Sequence, residues 1–296
     1  FLIPSVHIRD DLNLGPTSYK ISLLGISLGE GDVFTDKDMA INSGQVLGKI
    51  EGIPTKDPAF GLDALWISKS SKEQAQTLGY TVVDSSTVIA THLSQIIQDY
   101  AHQLLGHEEA QKIIDIVAKS SPKLIEDLVP DKLSLSVIVK VFQNLLDEHV
   151  PLRDSKTILE TLSEYAQKSQ DPGVLTEIVR VALGRLIIQQ LIGTSPEIPV
   201  ITLDSKLEQI LLQSNNSANA DGAAIDPNLM DKMQSAVVQF ANKQEVLGHP
   251  AILLVHPSIR RLLSKLLKHF AKNLSVLSFK EVPDEKQIKV ISTLGF

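Results

Sequence analysis

Apolar positions alternate with polar ones in the opening third of the chain and recur at helical spacing in the middle. That change of period divides the sequence. In "YKISLLGISLG" the residues Tyr19, Ile21 and Leu23 share one face, the period-2 pattern of a strand. "GQVLGKI", "ALWIS" and "YTVVD" read as further strands, and "SSKEQAQTLG" between the last two as a short helix closed by Gly79. A helix then starts at Ser85 or Ser86, either of which is a suitable cap. Ile89, Leu93, Ile96, Ile97, Tyr100 and Leu104 form its apolar stripe, and Gly106 ends it. Residues 107 to 192 are nearly all helical, punctuated by Pro122, Pro130, Pro151 and Pro172. Strands return after about 193, with "IPVITL", "AILLVH", "LSVLSF" and "IKVISTL" separated by helices, while "SNNSANADGAA" at 214–224 has the composition of a surface loop.

Length and composition narrow the picture. With 296 residues, two or more compact units are expected. Apolar residues make up 43% and aromatics only 4%, so the cores are built from Leu, Ile, Val and Ala. The net charge of −7 argues against a general polyanion binder. There is no cysteine, which removes disulfides, thiolate metal sites and a cysteine nucleophile. The most apolar helical stretch, Val174 to Gly193, carries Glu177, Arg180 and Arg185, whereas a spanning helix needs about 20 mostly uncharged residues. The N-terminus has neither the basic start nor the long apolar centre of a signal peptide. It lacks an initiator Met, so the chain is expected to be a fragment.

Several short motifs invite a chemical reading, and their surroundings oppose it. "GISLG" (Gly25 to Gly29) matches the nucleophile elbow of serine hydrolases, but "EGDVF" follows where a helix should begin, so Ser27 reads as a strand residue. The eight histidines include no pair four apart on one helix with a following Glu. No phosphate-cradling glycine loop occurs. The hairpin around "VPLRD" imitates a helix-turn-helix, the basis of a winged-helix-like nucleic-acid reading. Its second helix nevertheless carries Asp154, Glu160 and Glu164, which repel phosphate. The basic amphipathic stretch "RRLLSKLLKHFAK", with Leu262, Leu263, Leu266, Leu267 and Phe270 on one side, is flanked by strands and reads as a helix covering a sheet.

Longer blocks carry more. "VHIRD", "DPAFGLDALWI", "GYTVVDSSTVIATHL", "SPKLIEDLVP", "VFQNLLDEHVPLRDSKTILETL" and "LTEIVRVALGRLI" follow one another in that order over the whole chain. Together they closely resemble the cytoplasmic domain of the flagellar type III secretion export gate proteins, the FHIPEP family. Injectisome gate proteins are homologous, but "DPAFGLDALWI" and "VPLRD" resemble the flagellar branch more.

That resemblance implies an α+β fold of four small subdomains. The first is a mixed α/β subdomain split over 1–35 and 85–104, truncated at its N-terminus because a strand-bearing segment is expected upstream of "VHIRD". A ferredoxin-like α/β insertion follows at 36–84, then an all-helical subdomain at 105–190 and a C-terminal α/β sandwich at 191–296. The resemblance implies a docking platform rather than an enzyme, with no cofactor, no metal and no nucleic-acid partner. Its implied partners are flagellar export chaperones with their cargo, the export ATPase complex, and further copies of itself in a ring of nine. The implied location is the cytoplasmic face of the bacterial inner membrane. The implied chaperone-binding residues are Asp57 and Phe60 in a loop and Thr91 on the helix that follows. Thr91 lies roughly 200° around that helix from Ile89, opposite the expected buried stripe. Val88 is expected beside it on the outer side, and Val83 and Val88 are added as lining residues. Without the resemblance, Phe60 reads as a ring stapling its loop onto the local core. Arg153 and Asp154, in a charged turn between apolar helices, are candidate ring contacts.

Overall fold

The computed structural model describes residues 5–44, 46–217, 226–271 and 273–295. The chain divides into two compact units: Phe1–Glu109 with Leu146–His149, and Ala110–Leu145 with Val150–Phe296.

The first unit opens with an antiparallel hairpin, β1 (Ser18–Leu23) and β2 (Ile26–Asp32). Leu24 and Gly25 turn it with φ of 50° and 83°, the handedness a two-residue hairpin needs. The stretch "GISLG" is therefore a turn and a strand, with Ser27 exposed on β2. A second sheet follows, made of β3 (Lys37–Ile41), β4 (Ile53–Lys56), β5 (Asp63–Ser68) and β6 (Thr81–Asp84), with the helix α1 (Lys72–Thr77) between the last two. Its order is β4-β5-β3-β6 and all its pairings are antiparallel. A ferredoxin-like unit would carry a helix in the first crossover too; the described residues between β3 and β4 form none.

The strand expected at "GQVLGKI" is absent, and β3 and β4 flank that segment instead. In β3 the residues Asp38, Met39 and Ala40 are all buried, so the alternation that marks a half-buried strand is missing. Gly44, at φ 94°, breaks any extended run at the start of the expected strand. Successive residues of this sheet serve two cores. Met39, Ala64 and Trp66 pack on one face, and Ala40, Ile67, Ala75 and Tyr80 on the other.

The helix α2 (Ser85–Asp99) covers the first of these faces, and α3 (Ala101–Leu104) follows it. Its cap is neither Ser85 nor Ser86 but Asp84, whose carboxylate accepts from the Thr87 backbone N–H at 2.8 Å. Its most buried row is Val88, His92 and Ile96, one position behind the expected Ile89 and Leu93, which are half-buried. The helix packs against β2, β3 and β6 along that row. A row of Val88, His92 and Ile96 thus takes the core, and Ile89 and Leu93 sit at its flank.

The second unit holds most of α4 (His107–Ser120), then α5 (Pro122–Leu128), α6 (Leu135–Asp147), α7 (Ser155–Tyr165), α8 (Pro172–Ala182) and α9 (Gly184–Ile192). Asp154 and Asp171 cap α7 and α8. The long helical stretch from Val174 breaks at Leu183–Gly184, and Gly184 lies against the Glu281 carbonyl, where a Cβ would come within 2.3 Å. The unit continues through β7 (Glu197–Leu203), α10 (Ser205–Ser217), α11 (Pro227–Val246), β8 (Ala251–Val255), α12 (Pro257–Leu267), β9 (Leu274–Ser278) and β10 (Gln287–Leu294). These strands form a parallel sheet in the order β10-β7-β8-β9. Its inner strand β8 is buried along its whole length, which explains the unbroken apolar run "AILLV". Residues 214–217 of the expected loop close α10, and the rest of it lies outside the described residues. On α12, Leu263 and Leu267 join the core as expected and Leu262 and Leu266 are half-buried, whereas Phe270, beyond the helix, is exposed. Arg260 on the same helix is fully buried in an ion cluster with Glu177, Arg180 and Glu281.

Candidate docking site

Six residues, 57 to 62, join β4 to β5, and the sequence closes that loop with its own hydrogen bonds. The Asp57 carboxylate accepts from the Phe60 backbone N–H at 2.7 Å. The Asp57 carbonyl accepts from Gly61 N–H at 2.8 Å, and Asp57 N–H donates to the Leu62 carbonyl at 2.8 Å. Gly61, at φ 71°, supplies the left-handed position the turn requires. A loop tied in this way cannot fold its aromatic inward at no cost, and Phe60 is 61% exposed. The ring is not a staple onto the local core.

Asp57 itself is only 3% exposed. It shapes the loop and presents little surface of its own. Thr91 is half-buried on α2. Val83 on β6 is half-buried against the cluster that contains Trp66, and Trp66 meets Phe34 edge-on at 5.5 Å. Val88 departs from expectation. At 2% exposure it belongs to the same cluster, with Met39, Ala64 and Trp66. It faces the sheet because the buried row of α2 is Val88–His92–Ile96, so it offers no exposed apolar spot beside Thr91.

A polar pair that the sequence did not single out joins β1 to α2. Tyr19 on β1 and His92 on α2 share a hydrogen bond of 2.7 Å between the phenol oxygen and Nδ1, and their rings meet edge-on at 5.7 Å. They are 73 positions apart. β2 makes room for both rings. A Cβ on Gly29 would lie 2.6 Å from His92 Nε2, and one on Gly31 would lie 3.0 Å from the Tyr19 ring. Glycines two apart on one strand face were the available signal, since a glycine inside a strand often marks a close approach.

Charge links this pair to the loop. Burial pushes the Tyr19 phenol up to about 12, and the nearby Asp57 carboxylate pushes in the same direction. Burial also lowers His92 below its ordinary value, with Asp57 opposing the fall. Asp57 is thus close enough to act on both rings, and His92 adjoins Thr91 in the chain. The candidate site comprises the loop that carries Phe60 and, as the resemblance implies, Thr91 on α2. It offers an exposed aromatic on a fixed loop. Among the described residues, no group of three or more His, Asp or Glu side chains is arranged to hold a metal ion.

The profile of the FHIPEP family matches residues 1–287. The flagellar biosynthesis protein FlhA of Escherichia coli is 47% identical over 295 residues, which is 100% of this chain and 42% of that protein. FlhA of Helicobacter pylori is 37% identical over 297 residues, covering 99% of this chain and 40% of that protein. The chain thus spans about two fifths of the length of these curated relatives. Among solved structures, the Chlamydia pneumoniae CdsV protein superposes with a TM-score of 0.86 at 24% identity, over 99% of this chain and 85% of that one. The nonameric EPEC SctV-C assembly gives 0.76 at 24% identity, over 96% and 85%. These two likenesses establish the mixed α/β fold. The family rests on the match to residues 1–287, with which the relatives agree: the chain belongs to the FHIPEP family.

Proposed function

We propose that this chain is the docking platform of a flagellar type III protein export gate, receiving export chaperones loaded with cargo at the Phe60 loop. The observation that carries the proposal is an aromatic ring held 61% exposed by three hydrogen bonds around its loop. Docking surfaces favour such rings because they bury a large apolar area and lose little conformational freedom. Thr91 and the half-buried Val83 flank the ring in this reading, and Asp57 fixes its direction. The flagellar assignment draws on 47% identity to the Escherichia coli flagellar biosynthesis protein, against 24% to the CdsV and SctV-C structures. The nonameric EPEC assembly supports a ring of nine copies, and the complex of CdsV with CdsO supports engagement of a further protein; the export ATPase complex remains part of the proposal. The work done is binding and ordering rather than bond chemistry. The platform sits at the cytoplasmic face of the inner membrane.

Titrating a filament-type flagellar chaperone–cargo complex into the chain and into Thr91→Arg tests this. Saturable binding to the chain, lost in Thr91→Arg with the melting temperature kept, is the expected result. A long cation at that half-buried position opposes an apolar partner. Equal binding to both proteins places docking away from α2.

A further inference from the structure

The parallel sheet of the second unit ends in two unlike edges. β9 is half-buried or buried along its length, whereas β10 is exposed from Gln287 to Thr293. β10 pairs only with β7, so part of its backbone N–H and C=O groups point away from the sheet with no strand to receive them. Ile288, Val290 and Ile291 along it are 43%, 54% and 40% exposed. The register with β7 sorts the side chains. Ile288 and Val290 lie opposite Ile198 and Val200 on one face, and Lys289 lies opposite Pro199 on the other.

On that second face α11 does not close on the sheet. Phe240, Lys243 and Leu247, at helical spacing, wall an open groove whose strand side is made by Pro199, Lys289 and Ile291. The groove holds about 1030 Å³. Protein interiors pack like crystals, and a space of this size is that of a binding site. Gln244 on α11 points the same way. It lines the groove at 4% exposure, and its side-chain amide makes no hydrogen bond among the described residues. A buried amide without a partner is costly and calls for an explanation. The charge is specific as well. The chain carries −7 overall, yet the groove offers Lys243, His249 and Lys289 against the single carboxylate of Glu197. Glu197 is held by Lys289 at 3.0 Å, and Lys243 has no ionic partner among the described residues.

We propose that β10 and this groove take an extended acidic segment of a partner protein, added as a further strand along β10, with aliphatic side chains on both faces and a carboxylate directed at Lys243 and Gln244. This surface is separate from the Phe60 loop, and the inference does not depend on docking there. An added strand receives the free ladder groups of β10, covers Ile288 and Val290 on one face and enters the groove over Ile291 on the other. Its carboxylate accepts from the Lys243 ammonium and from the Gln244 amide, which supplies the partner that amide lacks. A second copy of this chain is a poor occupant. Pairing two β10 edges brings the same lysines together, and charge on an edge strand is how natural sheets avoid self-association. An acidic strand turns those cations into an attraction.

The test uses random linear peptides displayed on phage, long enough to span the eight residues of β10. They are selected on the chain and then compared on the double variant Lys243→Glu, Lys289→Glu. Both lysines are exposed, so the variant should keep the melting temperature of the parent. Enriched peptides are expected to be rich in aliphatic residues with at least one Asp or Glu. Synthetic copies should bind the double variant about tenfold or more weakly, the effect of losing one charge-assisted hydrogen bond. Gln244→Leu leaves the surface charge alone and should weaken the same peptides without lowering the melting temperature. N-methylation should abolish binding at the peptide amides that face β10 and be tolerated at the ones between them. Phe60→Ala should bind the peptides as the parent does. No enrichment over an unrelated control protein, enriched peptides without an acid, or equal binding to parent and double variant overturns the inference. So does tolerance of N-methylation at every position, which means a helix or an irregular chain in place of a strand. Loss of binding in Phe60→Ala places the peptides at the loop and overturns it too.

Discussion

Replacing Arg260 with Ala is expected to cost the second unit about 3–5 kcal/mol, the range for removing one member of a buried ion pair. Arg260 is fully buried and grips the Glu177 carboxylate with both its Nε and its Nη2. Its Nη1 reaches the Val276 carbonyl at 3.4 Å, and its Nε stands 3.7 Å from Glu281 Oε1. Glu281 is held from the other side by Arg180 Nη2 at 2.9 Å, and Ser278 Oγ lies 3.2 Å from its Oε1. Two arginines balance two glutamates, and three of the four side chains are almost wholly buried. Taking out one cation leaves two carboxylates to share Arg180, with the Val276 carbonyl deprived of a donor. The loss comes from the stranded charge rather than from the pair as such. Arg260→Met combined with Glu177→Met should therefore be milder than Arg260→Ala alone. Urea unfolding of the three proteins measures this. A cost under about 1 kcal/mol for Arg260→Ala would match an exposed, screened pair and contradict the buried cluster.

The second large effect concerns binding and leaves stability alone. Phe60→Ala is expected to weaken docking of a loaded filament-type chaperone by about 2 kcal/mol, or about 30-fold, the size of an interface hot spot. The ring is 61% exposed, so its removal takes away little packing, and the three loop hydrogen bonds use backbone atoms and Asp57 rather than the ring. The melting temperature should stay that of the parent. Lost binding together with a lowered melting temperature would point to a collapsed loop and not to a missing contact.

Regular features were legible in the sequence where one periodicity governed one burial pattern. The run of helices between 107 and 192 is such a case, as is the uniformly apolar strand β8. Legibility failed where an element serves two neighbours. β3 is buried on both sides and lost its alternation, and α2 carries two apolar rows of which the less aliphatic faces the sheet. That second case put Val88 on the wrong side. A helix with residues such as Val88 and Ile89 next to each other states its amphipathicity only to within one position. The close approach of Gly184 to a carbonyl almost a hundred residues further on is announced by no local pattern. At the loop from 57 to 62, Asp57 and Phe60 were singled out by the resemblance. Tyr19 and His92 were not, because their pairing exists only once β1 and α2 have been brought together.

The most direct test of the central claim is site-specific crosslinking. A photo-reactive phenylalanine analogue is placed at Phe60 or, as a control of similar exposure in the second unit, at Phe270. Each protein is illuminated with a filament-type chaperone–cargo complex. The account predicts a crosslink to that complex from position 60 and none from position 270. Crosslinking from 270 with none from 60 would contradict it.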